Sequence, residues 1–498
     1  MELLANLGLG FETALSPWNL LYAFVGCLLG TAVGVLPGLG PVATIAMLLP
    51  LTFSLPPVSA LIMLAGIYYG AQYGGSTTAI LINLPGESSS VVTAIDGYQM
   101  ARQGRAGKAL ATAALGSFFA GSVATLILAL FAPPLANVAL QFGPAEYFSL
   151  MVLGLVASVA LASGSLLKAF TMIVLGLLLG LVGTDVESGT PRYTFDLPEL
   201  ADGLNFVALS MGVFGLGEII RNLEHEHTRS VMVRHVEGLM LSLQDLKKVI
   251  GPVLRGTGLG SILGILPGGG AMLASFAAYT MEKRLSPNRA QFGKGAIEGV
   301  AAPESANNAG AQTSFIPMLT LGIPSNPVMA LMIGAMIIQG ITPGPNVVSD
   351  DPALFWGLIV SMWVGNLMLV LLNLPLIGMW VKMLTIPYHL LYPAIIAFCC
   401  IGAYSTNNNA FDVYGMAMFG LVGYVLIKLE WTAVRSDIAH KGAPWHLMYA
   451  ENPPALGGSE KWARAYLAQD SSIQISIPMI GRGIIHPADF PGIEKPTS

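Results

Sequence analysis

The sequence predicts an all-α polytopic membrane protein, and three observations lead to this fold class. Hydrophobic residues make up 54% of the 498 residues and charged residues only 10%, whereas soluble domains carry about 25% charged residues. Long stretches contain no charge, the longest being the 74 residues between Glu12 and Glu87. These stretches mix aliphatic residues with Gly and Pro and lack the alternating segments of about ten residues that a membrane β-barrel needs, which favours helices.

The composition also excludes several classes of protein. A soluble enzyme of this length would need far more charge to cover its surface, and a disordered chain would be less hydrophobic. The net charge of -5 is too small for a nucleic-acid-binding surface, so we expect no nucleic acid as a partner. Cys27, Cys399 and Cys400 lie in apolar segments, where we expect reduced packing residues and neither disulfides nor zinc ligands.

The apolar segments can be assigned in order along the chain, since a crossing helix needs about 20 apolar residues. The regions 58–100 and 298–341 are too long and too interrupted for plain helices. The regions 18–56 and 249–281 must enter and leave the bilayer on the same side if the crossings are to alternate, so we interpret them as re-entrant hairpins. Plain crossings are predicted at 110–131, 145–162, 169–183, 203–220, 353–374, 388–402 and 411–428.

Basic residues set the orientation of these segments. Lys and Arg cluster at 102–108, 221–255 and 283–294 and after Lys428, and the positive-inside rule places these loops in the cytoplasm. The acidic loop 183–200 then faces outward. The predicted organisation is an N-terminal segment 1–17, a first membrane repeat 18–220, a cytoplasmic linker 221–248, a second membrane repeat 249–430 and a C-terminal cytoplasmic tail 431–498.

Three motifs of the first half recur in the same order in the second half. In the predicted topology, the first copies enter the membrane from the outside and the second copies enter it from the inside. This indicates two inverted repeats, an architecture of many secondary transporters. Each repeat would contribute a re-entrant Pro-Gly hairpin and a Pro-broken helix, and such backbone survives at membrane depth only when it is buried in protein or lines a cavity. We therefore expect one central polar site. The motif pairs are Gly34–Gly40 with Gly264–Gly270, Gly70–Gln72 with Gly310–Gln312, and Leu84–Ser88 with Ile323–Pro327.

The two helix breaks and the two hairpin tips are the candidate substrate site. A helix that begins after a break points free N–H groups and a partial positive charge at the gap, where an anion can bind without a basic side chain. The alternatives are ordinary N-caps at the breaks and close glycine packing at the tips. The candidate substrate-binding residues are Gly38, Gly40, Ser88, Ser89, Ser90, Gly268, Gly269, Gly270, Ser325 and Asn326.

Hydroxyl and amide side chains near the breaks are candidate ligands for a coupling cation, because alkali ions bind hard oxygen atoms. The alternative is that these side chains join helices by hydrogen bonds. Glu304 is a possible coupling carboxylate, which would favour protons over sodium, or it caps a helix after Pro303. No other metal ion is expected. The candidate cation-binding residues are Ser76, Thr77, Thr78, Asn83, Asn307, Asn308, Thr313 and Ser314.

These motifs closely resemble the large membrane subunit of the tripartite tricarboxylate transporter family. The resemblance covers roughly residues 15–430 and is most specific in Tyr68–Gly86, Asp96–Gly107 and Ala302–Ala309. It implies uptake of a carboxylate across the bacterial inner membrane, driven by sodium or protons, with a small membrane subunit and a periplasmic solute-binding protein as partners. Glu87 stands where members of the family often carry small polar residues, which argues against citrate itself as the substrate.

The sequence as a whole predicts a cation-coupled secondary transporter of a tricarboxylate-like substrate, embedded in the lipid bilayer. It is not expected to be an enzyme or to bind an organic cofactor, because it contains no HExxH or GxSxG motif. Two alternatives remain open. One is a passive carboxylate channel whose two repeats line an open pore, and the other is a membrane-embedded enzyme.

Overall fold

The computed structural model of the chain describes residues 2–429 except 37–39, 84–85, 162–165, 186–187, 224–235, 237, 267–269 and 385–387. The predicted tail 431–498 lies outside the described residues, as do residues 224–235 and 237 of the predicted linker 221–248.

The described chain is mostly α-helical. Strand pairing is limited, within the described ranges, to Gly183–Thr184 with Pro191–Arg192 in the acidic loop. The helices are α1 (Glu2–Ala14), α2 (Pro17–Val35), α3 (Pro41–Leu48), α4 (Pro57–Ile82), α5 (Val91–Arg102), α6 (Ala106–Ala139), α7 (Pro144–Leu161), α8 (Leu166–Gly180), α9 (Phe206–Ser210), α10 (Gly217–Leu223), α11 (Leu243–Ile265), α12 (Gly270–Leu285), α13 (Glu298–Thr313), α14 (Phe315–Leu321), α15 (Pro327–Ile338), α16 (Val347–Asp350), α17 (Pro352–Asn373), α18 (Ile377–Met383), α19 (Tyr388–Asn407) and α20 (Ala410–Lys428).

The helical prediction is confirmed for each segment that the sequence assigned to a plain crossing. One of them, 203–220, is built from α9 and α10 joined by a π-helical turn at Met211–Leu216. Within the described ranges, four helices are long and apolar enough to cross a membrane, namely Pro17–Val35, Ala106–Ala139, Pro352–Asn373 and Ala410–Lys428.

The two interrupted regions divide where the sequence places the breaks. In the first, α4 ends at Ile82 and the chain resumes as a 3-10 turn at Ser88–Ser90 that leads into α5. In the second, α14 ends at Leu321 and α15 begins at Pro327. Helices also flank both Pro-Gly tips, but 37–39 and 267–269 lie outside the described residues, so the re-entrant hairpins remain predictions.

Two pairs of helices pack closely through glycine. A Cβ atom added to Gly26, Gly30 or Gly34 of α2 would collide with the backbone of α4, and one added to Gly256, Gly260 or Gly264 of α11 would collide with the backbone of α13. Small residues at four-residue spacing let two backbones approach in a membrane, where the hydrophobic effect does not drive helices together. The facing residues are Met63, Ile67 and Ala71 on α4 and Ala302, Ala306 and Gly310 on α13.

The helices α4 and α13 form the centre of the described fold. Every residue of α13 is buried, and so is every residue of α4 from Ser59 to Leu81. Each central helix also packs against a long helix from the other half of the chain: α4 against α17, and α13 against α6. The two halves therefore interlock, and polar residues of α4 and α13 are shielded from the surroundings on several sides.

Candidate functional site

Acidic side chains are the only buried charged residues in the part of the chain that the structure describes; no Lys or Arg there is buried. An ionised carboxylate removed from water needs hydrogen-bond donors or an opposite charge. Inside a membrane protein such a residue is a candidate for function. The six buried acids are Glu87, Asp96, Glu282, Glu298, Glu304 and Asp412.

Four of these six carboxylates have structural partners that account for their burial. Asp96 accepts hydrogen bonds from the amides of Gly295 and Ala296 at 2.8 Å each and from the Tyr279 hydroxyl at 2.9 Å, which ties α5 to the loop before α13. The other three pairs are Glu282 with Arg255 at 2.7 and 2.9 Å, Glu298 with Asn288 at 2.9 Å, and Asp412 with Asn205 at 2.9 Å and Asn407 at 3.0 Å.

The Glu304 carboxylate is held by side chains from several helices, and its partners in the described structure are neutral groups, mostly hydroxyls. Ser76 Oγ of α4 lies 2.8 Å from each carboxylate oxygen, and Thr93 Oγ1 of α5 donates to Oε1. Ser117 Oγ of α6 lies 3.4 Å from Oε2. Since α13 begins at Glu298, Glu304 lies in the second turn of that helix and is not the N-cap that the sequence allowed as an alternative.

The hydroxyl groups can offset much of the cost of burying this charge, but they do not neutralise it. A hydrogen bond to a charged group contributes about 1.5–3 kcal/mol, and burying an unpaired ion costs several kcal/mol even after the protein relaxes. Neutral donors also leave the net charge unchanged. Glu304, which is 1% exposed, therefore leaves a negative charge uncompensated by any buried basic side chain of the described residues.

A small cavity lies beside Glu304 among α4, α6, α13 and α17. Two of the polar atoms on its lining residues, Tyr73 OH and Asn373 Oδ1, are buried without a hydrogen-bond partner in the described structure. Buried polar atoms are nearly always paired, so unpaired atoms on residues that also line a cavity are candidates for contact with a bound group. The cavity is lined by Tyr73, Ser76, Thr77, Leu110, Ala113, Ala114, Ser117, Glu304, Asn373 and Leu374.

The first helix break contains the other unusual carboxylate, Glu87. Asn83 ends α4 in the left-handed conformation, with φ 59°, and a Cβ added to Gly75 would lie 2.7 Å from Glu87 Cγ. Ser89 Oγ donates to the Glu87 carboxylate, and the backbone amides of Ser89 and Ser90 are close enough to interact with it electrostatically. Glu87 thus occupies the helix N-terminus at which the sequence predicts a bound anion.

The second break is built around Asn326. Gly322 ends α14 with φ 68°, and Asn326 Oδ1 accepts a hydrogen bond from the Met329 amide at 3.0 Å at the start of α15. Asn326 Nδ2 donates to Ser314 Oγ at 3.1 Å, and Ser325 Oγ lies 3.4 Å from the Ser314 carbonyl oxygen. Both the N-cap and the substrate interpretations of Asn326 therefore remain open.

The two breaks meet at Tyr68 and along α12. The Tyr68 hydroxyl interacts with Asn326 of the second break and electrostatically with Glu87 of the first. At the start of α12, a Cβ added to Gly270 would lie 3.4 Å from Asn326 Cβ. Further along this helix, Ser275 Oγ donates to the Ser89 carbonyl oxygen at 2.8 Å. The structure therefore brings candidate substrate residues from both halves into one region.

The candidate substrate residues differ in their positions. Ser89, Ser90, Ser325, Asn326 and Gly270 lie at the two breaks just described, and Ser88 begins the 3-10 turn of the first. Gly40 is the N-cap of α3, and its carbonyl oxygen accepts the Thr44 hydroxyl at 2.9 Å. Gly38, Gly268 and Gly269 lie outside the described residues.

The candidate cation residues divide into two groups. Ser76 contacts Glu304, Thr77 lines the cavity, and Asn308 Nδ2 donates to Ser117 Oγ at 2.7 Å and to Asn307. The others bond to helix backbone or end a helix. Thr78 donates to the Val35 carbonyl at 2.7 Å, Thr313 to that of Ala309 at 3.1 Å, Ser314 to that of Gly310 at 2.7 Å, and Asn83 is the C-cap of α4.

Four residues beside Glu304 were not predicted from the sequence: Tyr73, Thr93, Ser117 and Asn373. Each lies on a helix that carries other polar residues as well, so its own position in the sequence does not single it out. The useful signal would have been their convergence, which depends on α5, α6 and α17 packing around α13.

Comparison with known proteins adds independent information. The model of the tripartite tricarboxylate transporter TctA family matches residues 20–436. A 52.8 kDa protein in the TAR-I ttuC' 3'region of Agrobacterium vitis is 68% identical over 429 residues, which are 86% of each chain. A protein in the TAR-II ttuC' 3'region of the same organism is 70% identical over 170 residues, 34% of this chain and 70% of that one. No solved structure matches the chain.

Proposed function

The chain belongs to the tripartite tricarboxylate transporter TctA family, and from this premise we propose that it imports a carboxylate by coupling to a cation gradient. It acts as the large membrane subunit, in the bacterial inner membrane, beside a small membrane subunit and a periplasmic solute-binding protein that delivers the substrate. The observation that carries the proposal is the meeting of two broken central helices next to two buried carboxylates, Glu87 and Glu304.

The substrate carboxylate binds between the breaks in this proposal. Tyr68 and Asn326 provide polar side chains there, and the N-terminal turns that precede α5 and begin α15 provide partial positive charge. Helix termini that face each other at a break are typical of substrate sites in secondary transporters.

The charge of this region favours coupled transport over a passive channel. Glu87 and Glu304 interact electrostatically, because they contact the consecutive residues Gly75 and Ser76 of α4. In a region without buried basic residues, a third negative charge on the substrate would be repelled by both carboxylates. A cation that enters with the substrate removes this repulsion, so anion binding requires the coupling ion.

The inverted repeats are part of the same proposal. The glycine contacts of α2 with α4 and of α11 with α13 are alike, and α4 and α13 each pack on a long helix of the opposite half. This arrangement supports a transport cycle in which one repeat moves against the other around a central site.

Proteoliposomes that contain this chain, its small membrane subunit and its solute-binding protein test the proposal. We expect a radiolabelled dicarboxylate or tricarboxylate to accumulate above its external concentration only when an inward sodium or proton gradient is imposed. Equilibration at a rate that ignores the gradient would instead indicate a channel. Absence of uptake with every carboxylate, by protein that remains folded, would contradict the proposed function.

A further inference from the structure

We propose that the cavity beside Glu304 is a sodium site, with Glu304, Asn373, Ser117 and Tyr73 as the oxygen ligands. The inference deepens the proposed function, on which it rests for the role of the ion in transport. The sequence placed the cation site on the two broken helices alone. The inference adds Tyr73, which lies on the broken helix α4, together with Ser117 of α6 and Asn373 of α17.

Charge is the first argument for a cation. The Glu304 carboxylate is buried among the hydroxyls of Ser76, Thr93 and Ser117. These donors are neutral, so they provide no positive charge to balance an ionised carboxylate. A monovalent cation in the adjoining cavity would neutralise that charge without adding a new one.

The unpartnered oxygen atoms are the second and independent argument. The Asn373 amide is held by a hydrogen bond from Nδ2 to the Leu369 carbonyl at 2.9 Å, while its Oδ1 has no hydrogen-bond partner in the described structure. The Tyr73 hydroxyl also has no hydrogen-bond partner in the described structure. Both residues line the cavity with Glu304 and Ser117. A desolvated amide oxygen and a hydroxyl next to a carboxylate are the hard oxygen ligands that such an ion binds.

The type of ligand favours a monovalent alkali ion over transition metals and calcium. The cavity offers one carboxylate together with hydroxyl and amide oxygens. No group of three or more His, Cys, Asp or Glu side chains lies together in the part of the chain that the structure describes, which disfavours transition metals. A single formal charge suits a monovalent ion better than calcium, whose sites collect several carboxylates.

The contacts of Glu304 connect this site to the substrate region. Thr93 lies in the first turn of α5, directly after the Ser88–Ser90 turn of the first break. An ion that fixes the Glu304 carboxylate also fixes Thr93 and therefore the start of α5. An ion bound in the cavity would thus fix the backbone at the first break before the substrate binds.

Direct sodium binding to the purified, substrate-free protein tests the site, with 22Na+ as the probe and potassium holding the ionic strength constant. We expect saturable binding in the wild-type protein. In Asn373→Ala the half-saturating concentration should rise about tenfold, since one ligand is lost. Glu304→Gln should abolish binding, and Ser117→Ala should weaken it.

Asn366→Ala is the matched control. Asn366 also lies on α17, is buried, donates to the carbonyl four residues earlier at 2.9 Å and has an unpartnered Oδ1, but it does not line the cavity. We expect its sodium affinity to match that of the wild-type protein.

Two results would overturn the site. One is the absence of saturable sodium binding in folded wild-type protein, and the other is equal sodium affinity in Asn373→Ala, Ser117→Ala and wild type. Parallel uptake assays in proteoliposomes distinguish the two proposals. Sodium-dependent uptake that none of these substitutions changes would place the ion elsewhere and leave the proposed function intact, whereas sodium binding without carboxylate uptake would refute the function and keep the site.

Discussion

At the scale of single residues, Glu87 raises the sharpest question, because its carboxylate lies at the helix N-terminus proposed to attract a substrate anion. A carboxylate at a helix N-terminus is stabilised by about 0.3–1 kcal/mol at exposed sites and by up to about 2 kcal/mol when partly buried. The Glu87 carboxylate and the substrate would compete for the same amides. Substrate binding therefore requires Glu87 to move or its charge to be compensated.

Replacing Glu87 with Gln should consequently strengthen substrate binding. The amide keeps the shape of the side chain but removes its charge, so we expect the dissociation constant of the carboxylate to fall several-fold, up to about tenfold. Isothermal titration of the purified protein at fixed sodium concentration measures this change. Glu298→Gln, at a buried acid held by Asn288 at 2.9 Å, is the control and should not alter it. Weaker binding by the Glu87 variant would show that the substrate does not occupy the first break.

Two substitutions separate the two possible roles of Asn326, which are capping α15 and contacting the substrate. Asn326→Ala removes the cap of α15 and should lower the free energy of unfolding by about 0.5–2 kcal/mol. Asn326→Asp keeps an acceptor for the Met329 amide, so thermal stability should be largely retained, but it places a negative charge in the substrate region. We expect the Asp variant to lose carboxylate uptake more severely than the Ala variant. If both variants transported equally well in proportion to folded protein, Asn326 would be a cap only.

The sequence singled out residues whose chemistry is conspicuous, but it did not identify residues whose place beside the site depends on side-chain orientation. Glu304 and Ser76 were singled out because polar residues in an apolar stretch are rare. Ser117 and Asn373 lie in α6 and α17, which are apolar on nearly all sides. The periodicity of these helices therefore could not show which way the two side chains point.

At the scale of helices, positions and breaks could be predicted well because charge-free runs, Pro and Gly determine them locally. Pro303 was an exception, since it lies inside α13 and does not end it. Proline is tolerated within a membrane helix when neighbouring groups satisfy the freed backbone.

Glycines of α11 provide a test of helix packing within a single helix. A Cβ added to Gly260 would collide with the Ala306 backbone of α13, whereas one added to Gly258 would meet no atom within 4 Å. Overpacking costs about 1–3 kcal/mol, so Gly260→Ala should lower the melting temperature in detergent. Gly258→Ala should leave it unchanged or raise it slightly, because Ala favours a helix over Gly. Equal effects of the two substitutions would refute close packing of α11 against α13.

At the scale of the whole molecule, the sequence predicted two halves but not how they interlock. Packing of α4 on α17 and of α13 on α6 joins residues more than a hundred positions apart, and no local pattern encodes such pairs. These pairings create the cavity, since its lining comes from both halves. The proposed sodium site can therefore be recognised only at this scale, although each of its proposed ligands is a common residue.

Contacts between the halves also support the predicted orientation of two loops. Gln103 Nε2 donates to the Lys294 carbonyl and Arg105 to the Gly295 carbonyl, at 2.8 Å each, so the basic loops 102–108 and 283–294 lie at the same end of the molecule. An ion pair between Lys108 and Asp245, at 2.8 Å, lies at the same end of the molecule. The positive-inside rule assigns this end to the cytoplasm.

Cysteine labelling in intact cells tests this orientation. Single cysteines replace the exposed residues Arg102, Lys294 or Thr190, in a background from which Cys27, Cys399 and Cys400 have been removed. Cysteines at 102 and 294 should react with a membrane-impermeant thiol reagent only after the cells are opened, because a bilayer separates them from the reagent. Cysteine at 190, in the acidic loop, should react at once. Labelling of both 102 and 294 from outside would reverse the orientation of the whole molecule, and labelling of only one of them would contradict the shared end on which the inverted repeats depend.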